Sequence, residues 1–324
     1  MTLTCLDTIT ENPVLTCEPC GKINLTLRVG ERRADGYHDL HSLVVGVGIR
    51  DKLTLRLRAE PGVAIHCPDA ALACSDNLAV RVCETLARRH GIAAALDIDL
   101  TKRIPVAGGM GGGSSDGAAA LRLANRFWKL GLEDSGLAAI GAALGSDIPL
   151  FFALPVAEMF GRGERVQRRT MAWAGWVLLV CVDTVVRTGA VYAALKKMRM
   201  NAPGSPVSTG YKPAPHSLGN AAPSSFDPVT HTILTSRRVT EFEHLLYNDL
   251  EPAVFRVAPA VAKVYQALHA AQLGPFRVSG AGSTLYRLFD QSEPAHEMAR
   301  NIAKLAPGVR CIVAAVPTTH GLDR

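Results

Sequence analysis

Pro105, Val106 and Ala107 lead into Gly108, Gly109, Met110, Gly111, Gly112 and Gly113, and Ser114 and Ser115 follow at once. Five glycines in the six positions 108–113 leave no side chain to keep a polyphosphate from the backbone. Successive N–H groups can then point at phosphate oxygens, with the positive end of the helix predicted after the loop behind them. Ser114 or Ser115 adds a hydroxyl donor, or an oxygen ligand for Mg²⁺. The loop lacks the Gly-Lys-[Ser/Thr] of a P-loop. It is not a dinucleotide fingerprint either, because the positions that would need the third small residue hold Ser114 and Asp116.

The elements around the loop follow from periodicity. Ile23, Leu25, Leu27 and Val29 alternate within 21–29, and Leu53, Leu55 and Leu57 alternate with polar residues; both read as strands. Arg33-Ala-Asp-Gly36 is a turn signal. Ser75-Asp76 is expected to cap a helix over about 77–89, stopped by Gly91. The alternation Leu96, Ile98, Leu100 is a strand that feeds the glycine loop, and a small-residue helix is expected over 115–127. Ser135 is expected to cap a helix ending at Gly145. After Arg169 the pattern changes. A continuous apolar run at 176–182 reads as a buried strand, followed by a helix over 189–198. Residues from about 200 to 236 are rich in Pro, Ser, Gly, Thr and Asn without periodicity, and read as a mobile loop insertion. A short helix near Phe242, helices over 259–272 and 294–305, and strands ending at 279 and over 284–289 and 311–316 complete the chain. The expected fold is α+β in two domains: a mixed N-terminal domain over 1–170, and a C-terminal domain over 171–324 whose order suits a split β-α-β arrangement.

Composition narrows the function classes. The 324 residues are 48% hydrophobic and 20% charged, with a formal charge of +6 and a pI near 9.0. That balance suits an anionic ligand such as a nucleotide. With 6% aromatics and no basic block interleaved with them, nucleic acid is not an expected partner. No apolar run approaches the length of a membrane span, so no membrane partner is expected. The acidic residues Asp7, Glu11 and Glu18, with no Lys or Arg among them, do not read as a secretory leader, and a cytoplasmic location is expected. Cys17 and Cys20 form a single C-x-x-C. Without a second pair or a following helix, it reads as chance spacing.

The glycine loop resembles the second motif of the GHMP kinase superfamily, which cradles ATP. Other segments match one branch of it, the 4-diphosphocytidyl-2-C-methyl-D-erythritol kinases. They are Cys20-Gly-Lys-Ile-Asn-Leu25, Arg33-Ala-Asp-Gly-Tyr-His38, Leu144-Gly-Ser-Asp-Ile-Pro149, Gly161-Arg-Gly-Glu164, Tyr247-Asn-Asp-Leu-Glu251 and Ser279-Gly-Ala-Gly-Ser283. The matches keep the family's order from about residue 18 to 290. Cys20 stands where proline is frequent, and Ala107 replaces the first loop glycine.

The resemblance implies a two-domain GHMP kinase architecture and transfer of a phosphoryl group from ATP, with Mg²⁺, to the 2-hydroxyl of a substrate carrying a cytidine diphosphate group, in the non-mevalonate route to isoprenoids. It gives Asp147 as the base that accepts the hydroxyl proton and Lys22 as the cation that stabilises developing charge. By residue type alone, Asp147 reads equally as a turn aspartate and Lys22 as an edge-strand lysine. Asn24, two residues on and on the same strand face, can hydrogen-bond the substrate polyol. Tyr37 supplies a ring to stack on the base, and His38 an imidazole to bond its edge. Thr188 and Tyr192 align with the substrate threonine and the second stacking aromatic. Asn77 and Lys102 resemble residues lining the adenine pocket, with helix-cap and surface readings open for them. The alternatives are another GHMP kinase, of homoserine or mevalonate type, or a catalytically inactive GHMP-fold regulator. The presence of Lys22, Asp147 and the loop serines speaks against the regulator.

Overall fold

The computed structural model describes residues 13–201 and 227–317. The alternating apolar segments form strands wherever one face is buried. β1 (Leu15–Cys17), β5 (Lys52–Leu57), β6 (Gly62–His66) and β7 (Ala95–Thr101) make one sheet in the order β1-β5-β7-β6, reached through β2 (Cys20–Asn24), β3 (Thr26–Arg32) and β4 (His38–Arg50). Leu53 and Leu55 of β5 and Leu96, Ile98 and Leu100 of β7 are buried beneath α1 (Leu78–Arg89), α2 (Gly112–Phe127) and α3 (Asp134–Ala142). Burying each such side chain stabilises the fold by ~1.5–3 kcal/mol.

A second sheet carries the order β11-β3-β4-β8-β9, with β2 also on β4. It adds β8 (Val156–Gly161), β9 (Arg165–Arg168) and β11 (Tyr247–Asn248). The third has the order β12-β13-β10-β14, from β10 (Gly175–Cys181), β12 (Arg277–Val278), β13 (Thr284–Phe289) and β14 (Arg310–Val316). α4 (Thr188–Asn201), α7 (Glu251–Val257), α8 (Pro259–Ala270) and α9 (Ser292–Leu305) bury apolar residues in a cluster with β10 and β13. Ile23, Val45 and Val47 of the second sheet share another cluster with Val177 and Leu179 of β10.

Several sequence-based expectations shift. The strand expected over 21–29 is two strands, broken at Leu25, whose N–H bonds Leu43 O at 2.8 Å. Asn77, rather than Ser75-Asp76, caps α1. The helix expected from 115 begins at Gly112. Gly111, with φ +69°, serves as its N-cap, a left-handed conformation open to glycine without strain. The helix expected to be capped by Ser135 and to end at Gly145 has Glu133 at its N-cap position and stops at Ala142.

Part of the expected insertion is helical. α5 (Pro228–Thr235) occupies its last part, and α6 (Val239–Phe242) follows. Asp227 caps α5, accepting from Thr230 N–H at 3.2 Å. Val229 and Ile233 of α5 are buried in the cluster that holds Trp173 and Phe242. Residues 202–226 of the expected insertion lie outside the described residues.

Candidate active site

The geometry is built on the start of α2. Ser115 N–H makes the first helical bond, to Gly111 O at 2.9 Å. The N–H groups of Gly112, Gly113 and Ser114 therefore have no carbonyl one turn back, which is the arrangement that binds anions. The loop is held from below by the far half of the chain. Ser279 Oγ donates to Gly109 O at 3.0 Å. A Cβ on Gly109 would sit 2.0 Å from Ser279 O, so only glycine permits this approach. Asn248 Nδ2 in turn pins the second glycine segment through Val278 O at 2.8 Å and Gly280 O at 2.7 Å.

A cavity of about 550 Å³ opens above the loop. Residues 105–114 line it, together with Lys22, Asn24, Asn77, Lys102, Asp147, Thr188 and Tyr192. Ser115 is the exception among the loop residues. It is buried, and its hydroxyl donates to Cys20 O at 2.7 Å, so Ser114 is the loop serine that faces a ligand.

Lys22 is 5% exposed, and its Nζ donates to Asn24 Oδ1 at 2.7 Å and Gly109 O at 2.8 Å. Two of its three N–H donors are thus committed, and the third remains for a ligand. Burial pushes its pKa down, and the Asp147 charge opposes that. The Asn24 amide is committed on both sides: its oxygen accepts from Lys22, and its Nδ2 donates to Ser42 Oγ at 2.8 Å. Asn24 thereby holds the Lys22 ammonium in place, and it also lines the cavity.

Two expected nucleotide contacts have structural partners of their own. The Asn77 oxygen accepts from Ala79 N–H at 3.0 Å and its Nδ2 donates to Leu72 O at 2.8 Å, the helix-cap reading. Lys102 Nζ bonds Asp51 Oδ2, and Asp116 Oδ2 at 2.6 Å. It lies 3.1 Å from the position of a Cβ on Gly112. This places the Lys102 ammonium at the start of α2, on the wall of the same cavity. Burial raises the Asp116 carboxyl well above the ordinary range, with Lys102 opposing and Asp51 reinforcing.

Asp147 sits on the turn between α3 and a 3-10 turn at Pro149–Phe152. Ile148 and Leu150, both buried, anchor that turn. A Cβ on Gly141 would lie 2.3 Å from Ile148 Cγ2, so α3 needs a glycine there for the turn to dock.

A second cavity, about 570 Å³, shares Asp147 with the first. Tyr37, His38, Asp147, Thr188 and Tyr192 all line it. The His38 ring stacks on Tyr192, centroids 5.1 Å apart. Tyr37 is 52% exposed, with the Arg162 guanidinium 5.0 Å from its ring centre. Burial, then the charges of Arg199, Arg32 and Lys196, push the His38 pKa down, so its imidazole is neutral near pH 7. Arg32, Arg162 and Lys196 also line this cavity and were not singled out in the sequence. The Gly161-Arg-Gly-Glu164 segment was the available signal for Arg162. Its Glu164 accepts from Arg162 N–H at 2.6 Å and shapes that loop.

The family described as GHMP kinases N terminal domain matches residues 77–153, and that described as GHMP kinases C terminal matches residues 232–308. A 4-diphosphocytidyl-2-C-methyl-D-erythritol kinase of Azorhizobium caulinodans is 36% identical over 290 residues, covering 89% of this chain and 93% of the relative. A crystal structure of 4-(cytidine 5'-diphospho)-2C-methyl-D-erythritol kinase superposes with a TM-score of 0.70 at 25% identity, over 93% of this chain and 98% of that one. Homoserine kinase from Cytophaga hutchinsonii shares the fold at a TM-score of 0.64, with 15% identity over 97% of each chain. Among the described residues no helix is long and apolar enough to cross a membrane.

Proposed function

The chain belongs to the 4-diphosphocytidyl-2-C-methyl-D-erythritol kinases of the GHMP superfamily, and from that premise we propose how its two cavities carry out the transfer of the ATP γ-phosphoryl group to the 2-hydroxyl of that substrate, a step of the non-mevalonate route to isoprenoids. One observation carries the proposal: Asp147, Thr188 and Tyr192 line both cavities. The glycine cradle and the aromatic pocket thus meet at a single carboxylate.

Phosphoryl transfer asks mainly for positioning and charge stabilisation. The N–H groups at the start of α2 bind the polyphosphate. Asp147 accepts the proton of the acceptor hydroxyl as its oxygen attacks the γ-phosphorus, and the bond to the β-phosphate oxygen breaks with ADP as leaving group. Lys22, with one free N–H, stabilises the charge that develops. Asn24 and Gly109 O hold that ammonium in place. Oxygen donors suited to Mg²⁺ are present in the same cavity, and Ser114 would hold the ion together with phosphate oxygens. When bound, Mg²⁺ neutralises phosphate charge. We also propose a domain division near residue 170, supported by family matches that lie on either side of it.

The acceptor pocket favours a cytidylyl substrate over homoserine or mevalonate, which have no base to stack. Stacking on an aromatic is worth ~1–3 kcal/mol. Tyr37→Ala is therefore expected to raise KM for the cytidylyl substrate roughly 5- to 150-fold and leave KM for ATP in place. Tyr37→Phe keeps the ring and is expected to be silent. His38→Ala is expected to weaken the choice between cytidylyl and uridylyl analogues. Steady-state kinetics decide it: a Tyr37→Ala enzyme impaired toward ATP alone would put the turn at 33–38 on the donor side.

A further inference from the structure

The second cavity holds more positive charge than its surroundings neutralise. Arg32 at the end of β3, Arg162 in the loop after β8 and Lys196 on α4 line it, against one carboxylate, Asp147. Among the described residues none of these three cations forms an ion pair. The neighbouring carboxylates are committed elsewhere: Asp35 and Asp39 to Arg33, Glu164 to the Arg162 backbone N–H, and Asp249 to Val29 N–H, with Arg199 at 3.8 Å. Arg32 Nε donates to Gly36 O at 3.1 Å, which fixes its stem and leaves its terminal nitrogens. Arg162 lies over Tyr37, and a guanidinium over a ring keeps its in-plane N–H donors.

Three cations from three separate elements, converging without counter-charge on one cavity, form a site for a dianion or polyanion. The downward push on His38 from Arg32 and Lys196 reports the same field. Lys102 is the contrast within the same molecule, since its charge is matched by Asp51 and Asp116.

We propose that Arg32, Arg162 and Lys196 clamp the diphosphate link of the acceptor, setting the distance between its base and the hydroxyl at Asp147. This rests on the acceptor reading above and assigns it three specificity-determining residues. Guanidinium groups suit this task because they bind phosphate oxygens in pairs. The clamp makes the pocket select nucleoside diphosphates over nucleosides, independently of base choice.

The test is calorimetry on the whole protein saturated with a non-hydrolysable ATP analogue, so that the first cavity is filled. Cytidine, CDP and UDP are titrated into wild type, the Arg32→Gln/Lys196→Gln double variant, and that variant with Arg162→Gln added. A partly exposed charge contact contributes about 2- to 5-fold. The preference for CDP over cytidine is expected to fall roughly 4- to 25-fold in the double variant and up to about 125-fold in the triple. Cytidine itself binds the double variant as wild type, because Arg162 still backs Tyr37. All three side chains are exposed, and the single variants carry the same comparison if the triple does not fold. A CDP-over-cytidine ratio that is absent in wild type, or unchanged in the variants, overturns the clamp. Failure of the base reading looks different: UDP binds as well as CDP, while the ratio still depends on the cations.

Discussion

Asp147→Asn lowers kcat by roughly 10²- to 10⁴-fold, the contribution typical of a positioned general base, and leaves both KM values near wild type. The substitution keeps the size and the hydrogen-bonding reach of the side chain. The turn should hold, because its anchors are Ile148 and Leu150 and not the carboxylate. The amide cannot take the hydroxyl proton. Lys22→Met gives a loss of the same kind with one addition. The Asn24 oxygen loses its buried donor and Gly109 O keeps only Ser279 Oγ, so the glycine loop is expected to loosen and KM for ATP to rise modestly. A folded Asp147→Asn enzyme with near-normal kcat removes this aspartate from proton transfer.

The second large effect is steric. A Cβ on Gly113 meets nothing within 4 Å, yet Gly113 lines the first cavity at the start of α2. Gly113→Val should therefore fold and place its side chain in the space required by a phosphate. Two or three charge-assisted bonds of about 1.5–3 kcal/mol each are lost. ATP affinity by calorimetry is expected to drop roughly 100-fold or more, with an unchanged melting temperature. Gly112→Val is a poorer probe, because its Cβ would press on Ile104 Cγ2 and Lys102 Nζ, both at 3.1 Å. Wild-type ATP affinity in Gly113→Val would mean that the loop is only a hinge.

What could be read beforehand depended on how each segment is buried. β5 and β7 were legible because one face is covered and the other is not, so apolar and polar residues alternate. β4 was not. Its residues from His41 to Val47 are all buried, and the alternation that marks a strand disappears. β8 is buried along its whole length for the same reason. α5 and α7 are too short, at 8 and 7 residues, to show a helical period. The start of α2 was placed three residues late because glycines argue against helix by propensity, whereas here Gly111 caps and the next two glycines form the first turn.

The site divides along similar lines. The glycine loop is contiguous, so its chemistry was visible in one stretch of sequence. Tyr37 and His38 were visible as neighbours in a turn. The commitment of Ser115 to Cys20 O and of Lys102 to Asp51 depends on packing between segments far apart in the chain. So does the convergence of Arg32, Arg162 and Lys196, which lie on three elements and share no spacing that a periodicity could reveal.

The most direct test of the account is a substrate panel with purified protein, ATP and Mg²⁺, following ADP release and identifying the product by phosphorus NMR. The expected result is turnover of 4-diphosphocytidyl-2-C-methyl-D-erythritol to its 2-phosphate, with mevalonate, homoserine and galactose left essentially unchanged. Turnover of homoserine or mevalonate with none of the cytidylyl compound would contradict it.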